Sequence, residues 1–350
     1  MRLILPCGGE SSRFPGVRPK WLLTQPSGRL MVCDAIANLN LELVDKVVLI
    51  AKDEYVNGNE DSLRQAFKDA GCHKEIEFFS LFEKTKSQPE TVAKYLDSCD
   101  EDFSFFIKDC DGQFECKIES KNEVVTANIG LITGNSASSK SYCRLNERGE
   151  ITAIVEKQVI SQDFCVGGYS FRSSFEFLES YDEIKHLDNL YVSHVIDNLI
   201  LSKRVKFTGK RCETYEDWGT LQDWLKYKST FRTLFIDIDG VLVKNSSEYF
   251  DPKWGSTGSI KNNVEYLMSL RKAGRTQIIL TTARSQKFSN ETERQLKEAG
   301  LSYDGIVYGL LHAKRVIVND FSRSNPYPSC ESVNVPRDSN TLSDILRVQE

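Results

Sequence analysis

Residues 1–23 read MRLILPCGGESSRFPGVRPKWLL. An apolar run of strand length breaks at Gly8 and Gly9 and opens into a polar loop that carries Arg13 and Lys20. Paired glycines at the end of a strand let the backbone approach an anion and turn its N–H groups toward phosphate oxygens. A tight strand-to-helix turn also needs glycine for purely structural reasons. The spacing favours the anion, because Arg13 and Lys20 sit on a loop expected to return over the same turn, with Pro19 fixing the backbone beside the lysine. Neither G-x-x-x-x-G-K-[ST] nor G-x-G-x-x-G is present, so this is not a P-loop, and a dinucleotide-binding oxidoreductase is disfavoured.

Outward from that stretch, apolar runs at 2–6, 46–51, 76–82 and 103–107 alternate with segments of helical period such as EDSLRQAFKDAG. This is the pattern of an α/β fold whose parallel strands are buried on both faces. Beyond about residue 120 the strand-like pieces shorten to EVVTANIGLI, ITAIVEK and CVGGYSF, which predicts a mixed sheet completed by antiparallel strands. A second strand-then-turn opening, LFIDIDGVLV at 234–243, follows the aromatic-rich segment EDWGTLQDWLKYKSTFR. A chain of 350 residues favours two domains, here 1–228 and 230–350.

Apolar residues make up 40% and charged residues 27%, an ordinary globular balance. The net charge of -5 supplies no basic field for nucleic acid or anionic lipid, so nucleic acid is excluded as a partner class. No apolar run reaches the roughly 20 residues needed to cross a bilayer, and the amino terminus turns polar too early for a signal peptide. No membrane insertion and a cytoplasmic location are expected. The ten cysteines are scattered without a C-x-x-C pair and read as buried free thiols. The four histidines lie in separate segments, which argues against zinc.

In FSFFIKDCDGQF, residues 103–114, a buried strand ends in Asp109 and Asp111. Carboxylates at the carboxyl end of a parallel strand lie on the ligand-binding rim of an open α/β sheet and suit Mg²⁺, which takes hard oxygen ligands together with substrate phosphates. A simple turn is the alternative for DCDG. In SQPETV, Ser87 followed by Glu90 satisfies a capping-box pattern.

Taken together these stretches resemble the sugar-nucleotide-type nucleotidyltransferases, with PKWLLTQPSGRLM most similar to capsule-biosynthesis members. The resemblance covers most of 1–228 and implies a GT-A/Rossmann-like α/β domain with a mixed sheet. It further implies that Gly8, Gly9, Arg13, Pro19 and Lys20 grip a nucleoside triphosphate and that Gln88 and Thr91 hold its base and ribose. The helix cap remains an equal reading of SQPETV. Asp109, Asp111 and, in TYEDWGT, Asp217 match the metal-binding aspartates, while Glu156, Lys157 and Gly168 fall on the side of a sugar or polyol phosphate acceptor. For Lys157 a solvated strand-edge charge is the alternative.

In LFIDIDGVLV the period-two alternation of a strand puts Asp237 and Asp239 on one side and Ile238 on the other. Two carboxylates so placed repel unless a cation lies between them or one is protonated. DIDGVL resembles motif I of the haloacid-dehalogenase-type phosphatases. QIILTTAR then supplies a motif II threonine, Thr282, and Lys314 falls at motif III, with Lys287 and Lys297 as substitutes. VIVNDF gives Asn319 and Asp320 as motif IV. The resemblance implies a smaller Rossmannoid α/β domain in which Asp237 is the nucleophile and Asp239 the acid and base. Thr282 and Lys314 would hold phosphoryl oxygens, with Mg²⁺ at Asp237, Asp239 and Asp320. Only about 41 residues separate Asp239 from Thr281, which leaves little for a cap domain.

The expected function is therefore a bifunctional enzyme making a nucleotide-activated sugar or polyol for a surface polysaccharide. CTP is favoured, with UTP, GTP and dTTP compatible. The alternative is a nucleotidyltransferase joined to a non-catalytic docking module. Homo-oligomerisation is left open.

Overall fold

The computed structural model describes residues 1–132, 134–320 and 330–347. The chain divides into two compact units, Met1–Tyr227 and Lys228–Glu350.

In the first unit the early apolar runs become β1 (Arg2–Pro6), β2 (Lys46–Lys52), β3 (Glu75–Leu81) and β4 (Phe105–Lys108). They are followed by β5 (Gly112–Phe114), β6 (Glu123–Asn128), β7 (Ser141–Leu145), β8 (Ile151–Glu156), β9 (Asp163–Phe171), β10 (Thr208–Arg211) and β11 (Tyr215–Asp217). The main sheet has nine strands, with the order β8-β7-β9-β4-β1-β2-β3, β6 added beside β9 and β10 beside β6. β1, β2, β3 and β4 run parallel, while β9 pairs antiparallel with β4, β6 and β7. The mixed sheet expected from the sequence is thus present.

Alternation along the strands explains the missing polar face. Leu3, Leu5, Val47 and Leu49 enter one apolar cluster, and Ile4, Val48 and Ile50 enter another. Helix α1 (Glu60–Asp69) covers the first cluster with Leu63 and Phe67. The second is covered by α2 (Gln88–Asp97), α3 (Ser174–Ile184) and α4 (Val192–Leu201), through Val92, Tyr95, Phe177, Val195 and Leu199. With both faces occupied, ligands are left the strand ends.

Helix α5 (Leu221–Ser229) precedes the second unit's strand β12 (Arg232–Asp237). Helix α6 (Lys261–Lys272), β13 (Thr276–Thr281), α7 (Ser289–Glu298) and β14 (Gly305–Val307) follow. The three strands form a parallel sheet, β12-β13-β14, packed through Ile236, Ile278, Leu280, Leu267 and Leu296. VIVNDF, quoted for motif IV, forms no strand among its described residues, 316–320. These carry no regular structure, and Val316, Ile317 and Val318 are 71%, 54% and 90% exposed. A strand needs a neighbour on which to bury such side chains, and among the described residues β12 pairs with β13. The end of the quoted motif, residue 321, lies outside the described residues. No described helix is long and apolar enough to cross a membrane.

Candidate active site

At the end of β1 the chain passes through Cys7 into Gly8 and Gly9. A Cβ on Gly8 would stand 2.5 Å from Leu81 and 3.3 Å from Thr91, so this glycine is required by packing. Gly9 is exposed and faces open space. Ser11 adopts φ 51° and folds the loop back: its carbonyl accepts from Phe14 N and its Oγ from Lys20 N at 3.0 Å. Phe14, Leu23, Trp218 and Trp224 pack together beneath the loop, and the Arg13 carbonyl accepts from Leu221 N. The return of the loop thus brings both cations to the strand ends.

There they meet Asp111. Lys20 Nζ lies 2.5 Å from Asp111 Oδ2, and Arg13 Nη2 lies 3.6 Å from the same oxygen. Asp217 arrives from the far end of the unit because β11 pairs antiparallel with β5, setting Asp217 opposite Gly112; Trp218 N donates to the Asp111 carbonyl. Its carboxylate accepts from Gly219 N at 3.0 Å and pairs with Lys140 at 2.6 Å. Burial opposes ionisation of Asp111, but Lys20, Arg13 and Lys140 together outweigh it and hold the carboxyl well below the usual range. Asp109 shifts the other way, raised by burial and then by Asp111. Its Oδ1 accepts from Gln88 Nε2 at 2.5 Å.

The other candidate residues of this unit sit at different depths. Thr91 is 2% exposed and its hydroxyl is engaged by Thr85 and the Ser87 carbonyl, so it supports Gly8 from within the protein. The helix cap on the same segment is real: Ser87 Oγ accepts from Glu90 N, while the Glu90 carboxylate takes Lys86 N. Gln88, one residue into that helix, instead reaches the carboxylates. Gly168 makes room in the core, since a Cβ there would lie 2.6 Å from the Phe114 ring. The glycine against the site is Gly167, at φ 81°, where a Cβ would lie 2.4 Å from Asp109 Oδ2. Glu156 accepts from the hydroxyls of Ser141 and Ser193. Lys157 is exposed with its ammonium on Tyr191, and its backbone N–H bonds the Lys140 carbonyl, tying the expected acceptor side to the Asp217 partner.

Three contributors escaped the sequence reading. Lys108 is fully buried and donates to the carbonyls of Asp109 (2.5 Å) and Gly112 (2.8 Å), clamping the turn between the carboxylates. A lysine inside FFIKDCD was its visible signal. Lys140 had none. Gly219 was hidden in the quoted TYEDWGT: a Cβ there would stand 3.1 Å from Asp217 Oδ1, 3.5 Å from Asp111 Oδ2 and 3.7 Å from Arg13 Nη1. Its missing side chain leaves a cradle between two carboxylates and a guanidinium. Among the described residues no three His, Cys, Asp or Glu side chains gather as a ready metal cage. Two hard-oxygen donors beside such a cradle nevertheless fit Mg²⁺, which usually takes one or two carboxylates and fills the rest of its shell with water and phosphate oxygens.

In the second unit, Asp237 at the end of β12 is in register with Thr281 on β13. Each acidic residue has its own guanidinium. Arg284 binds Asp239 bidentately, with Nε–Oδ2 2.9 Å and Nη2–Oδ1 2.8 Å, and Arg315 lies 3.0 Å from Asp237. The repulsion inferred from the sequence is therefore relieved by two arginines. Thr282 is fully buried, its Oγ1 accepting from Arg284 N in the turn after β13, so it does not reach the rim. Lys314 and Asp320 are exposed on the segment without regular structure, and Arg315, next to Lys314, reaches Asp237.

No family model matches the chain, and no curated protein matches it. Solved structures do. A nucleoside-diphosphate-sugar pyrophosphorylase from Vibrio cholerae RC9 is 18% identical, with TM-score 0.55 over 65% of this chain and 99% of that one. A UDP-glucose pyrophosphorylase complexed with UDP-glucose is 11% identical, with TM-score 0.51 over 65% and 97%. The inositol-1-phosphate CTP transferase from T. maritima is 14% identical, with TM-score 0.50 over 63% and 90%. The chain thus shares the mixed α/β fold of these proteins.

Proposed function

We propose that residues 1–228 form a nucleotidyltransferase joining a nucleoside triphosphate to a sugar or polyol phosphate. An acceptor phosphate oxygen attacks the α-phosphorus, the bond from that phosphorus to the bridging oxygen breaks, and pyrophosphate leaves. Such transfer needs reactants held in line and charge neutralised, with no covalent nucleophile. The observation that carries the proposal is the convergence of Arg13, Lys20, Asp111 and Asp217 around the Gly219 cradle at the carboxyl ends of parallel strands. Arg13 and Lys20 neutralise the triphosphate, and exposed Gly9 leaves it room. Asp111 and Asp217 would hold Mg²⁺, which supplies further charge neutralisation when bound. Lys157 and Glu156 face the acceptor. CTP and a role in surface polysaccharide synthesis rest on the sequence resemblance.

The second half of the proposal is a phosphatase in 230–350 acting on the precursor or product. It is supported by Asp237, partly exposed at a strand end beside Thr281. One chain carrying both activities would keep the intermediate at high effective concentration.

The deciding experiment presents CTP, UTP, GTP and dTTP with sugar and polyol phosphates and bisphosphates, reading pyrophosphate and inorganic phosphate separately. Pyrophosphate with no triphosphate overturns the first half. Phosphate release that survives Asp237→Asn overturns the second and leaves the docking module.

A further inference from the structure

Two thiols lie at the base of the candidate site. Cys7 Sγ and Cys110 Sγ are 2.9 Å apart, both residues almost fully buried. Their offset of 103 residues is that of the β1–β4 register, in which Arg2 faces Phe105 and Ile4 faces Ile107. They therefore continue two adjacent parallel strands just beyond their hydrogen-bonded ends. Adjacent strands lie about 4.8 Å apart, within the roughly 4.4–6.8 Å that a disulfide spans between α-carbons. The bond needs the sulfurs to close to about 2.05 Å, without large movement of either strand. Cys7 precedes Gly8, and Cys110 stands between Asp109 and Asp111.

We propose that Cys7 and Cys110 form an oxidisable dithiol: a hydroperoxide-class oxidant converts the pair to a disulfide, which shifts the two flanking aspartates and suppresses nucleotidyl transfer. With hydrogen peroxide, one thiol gives up its proton, and its sulfur attacks the O–O bond; the departing hydroxide takes that proton, giving a sulfenic acid and water. The second thiol attacks that sulfur and releases a second water, so two thiols lose two electrons and two protons while one peroxide becomes two waters. The suppression rests on the nucleotidyltransferase reading; the bond does not. Displacing reacting groups by about 1 Å can cost about 10²-fold in rate, and closing the sulfur gap moves the turn by a similar amount.

The test exposes the full-length protein to hydrogen peroxide, blocks residual thiols, and maps peptides with and without dithiothreitol. The expected result is a dithiothreitol-sensitive link between the Cys7 and Cys110 peptides, with pyrophosphate release falling about tenfold or more and recovering on reduction. In Cys7→Ser and Cys110→Ser, each compared with its own reduced form, that loss disappears. The mapping separates this link from one between Cys143 and Cys165, whose sulfurs lie 3.3 Å apart. The proposal is overturned if no 7–110 link forms at a dose that oxidises exposed Cys330. It is overturned equally if the link forms with activity unchanged, or if both serine variants lose activity as the parent does. Should no triphosphate be used even by reduced protein, the functional reading fails and peptide mapping still decides the bond.

Discussion

The two units solve the same electrostatic problem in different ways. In the first, Asp111 is met by Lys20 and Arg13, cations on a loop, with the Arg13 side chain 57% exposed. In the second, Asp239 is held by a fully buried guanidinium that also donates to Thr292 and Gln295. Arg284 spends its donors inside the protein, so it acts as a structural strut. On the proposed reading, Lys20 and Arg13 turn from Asp111 to an incoming phosphate. Asp237 lies between these cases, partly exposed and paired with Arg315, itself 44% exposed. A cluster of acids and bases signals chemistry only where its cations can change partners.

The largest effect should come from Arg284→Met, which leaves Asp239 unpaired in a largely buried setting. Losing one partner of a buried pair costs about 3–5 kcal/mol, and urea unfolding followed by a reporter in the second unit should show it. A loss under about 1 kcal/mol would break the contrast. Next, Lys20→Ala and Asp217→Ala should each lower pyrophosphate release by about 10²–10³-fold, with the circular dichroism spectrum unchanged.

Gly168→Ala, which presses a methyl group toward Phe114, should cost about 1–3 kcal/mol in a thermal or urea melt. Gly167→Ala should differ by striking activity as well, since it displaces Asp109. Arg315→Met should cost no more than about 1 kcal/mol, which would set it apart from Arg284 on the same scale. Smallest is the response to acid. Asp111 has its carboxyl pKa depressed by folding, so its stabilisation is complete above the unfolded value, about 3.9, and is lost as pH falls toward the lower folded value. Stability of the first unit should drop below about pH 4, less steeply in Lys20→Met, as urea midpoints across that range would show. Asp109, raised by burial, acts in the opposite sense.

What could be read from the sequence follows from what is local. The runs that became β1, β2, β3 and β4 announce themselves because strands buried on both faces have no polar alternation to obscure. The loop with Arg13 and Lys20, and the acids after β4, sit beside strand ends and were found there. Which glycine faces the site was not legible: Gly167 and Gly168 are neighbours on one strand, and a side-chain period of two decides between core and carboxylate. Thr91 illustrates the converse, since its hydroxyl is spent on Thr85 and on the Ser87 carbonyl at the start of its own helix. Lys140 could not be found, because only the β5–β11 pairing brings Asp217 within its reach. In the second unit each motif lies in order along the chain, yet order does not say that Arg315, beside Lys314, is the cation that meets Asp237.

That pairing of Gly112–Phe114 with Tyr215–Asp217 spans about a hundred residues of chain. During synthesis the glycine turn, Lys20 and Asp111 all leave the ribosome long before Asp217 exists. On the proposed reading, an emerging chain therefore carries the phosphate-side cations without the full constellation, and competence is postponed until nearly the whole first unit has been made. Contacts of such long sequence separation form late because closing the loop costs entropy before any contact rewards it. On the proposed reading, a nascent or truncated product ending near residue 200 would lack Asp217 and so could not complete transfer.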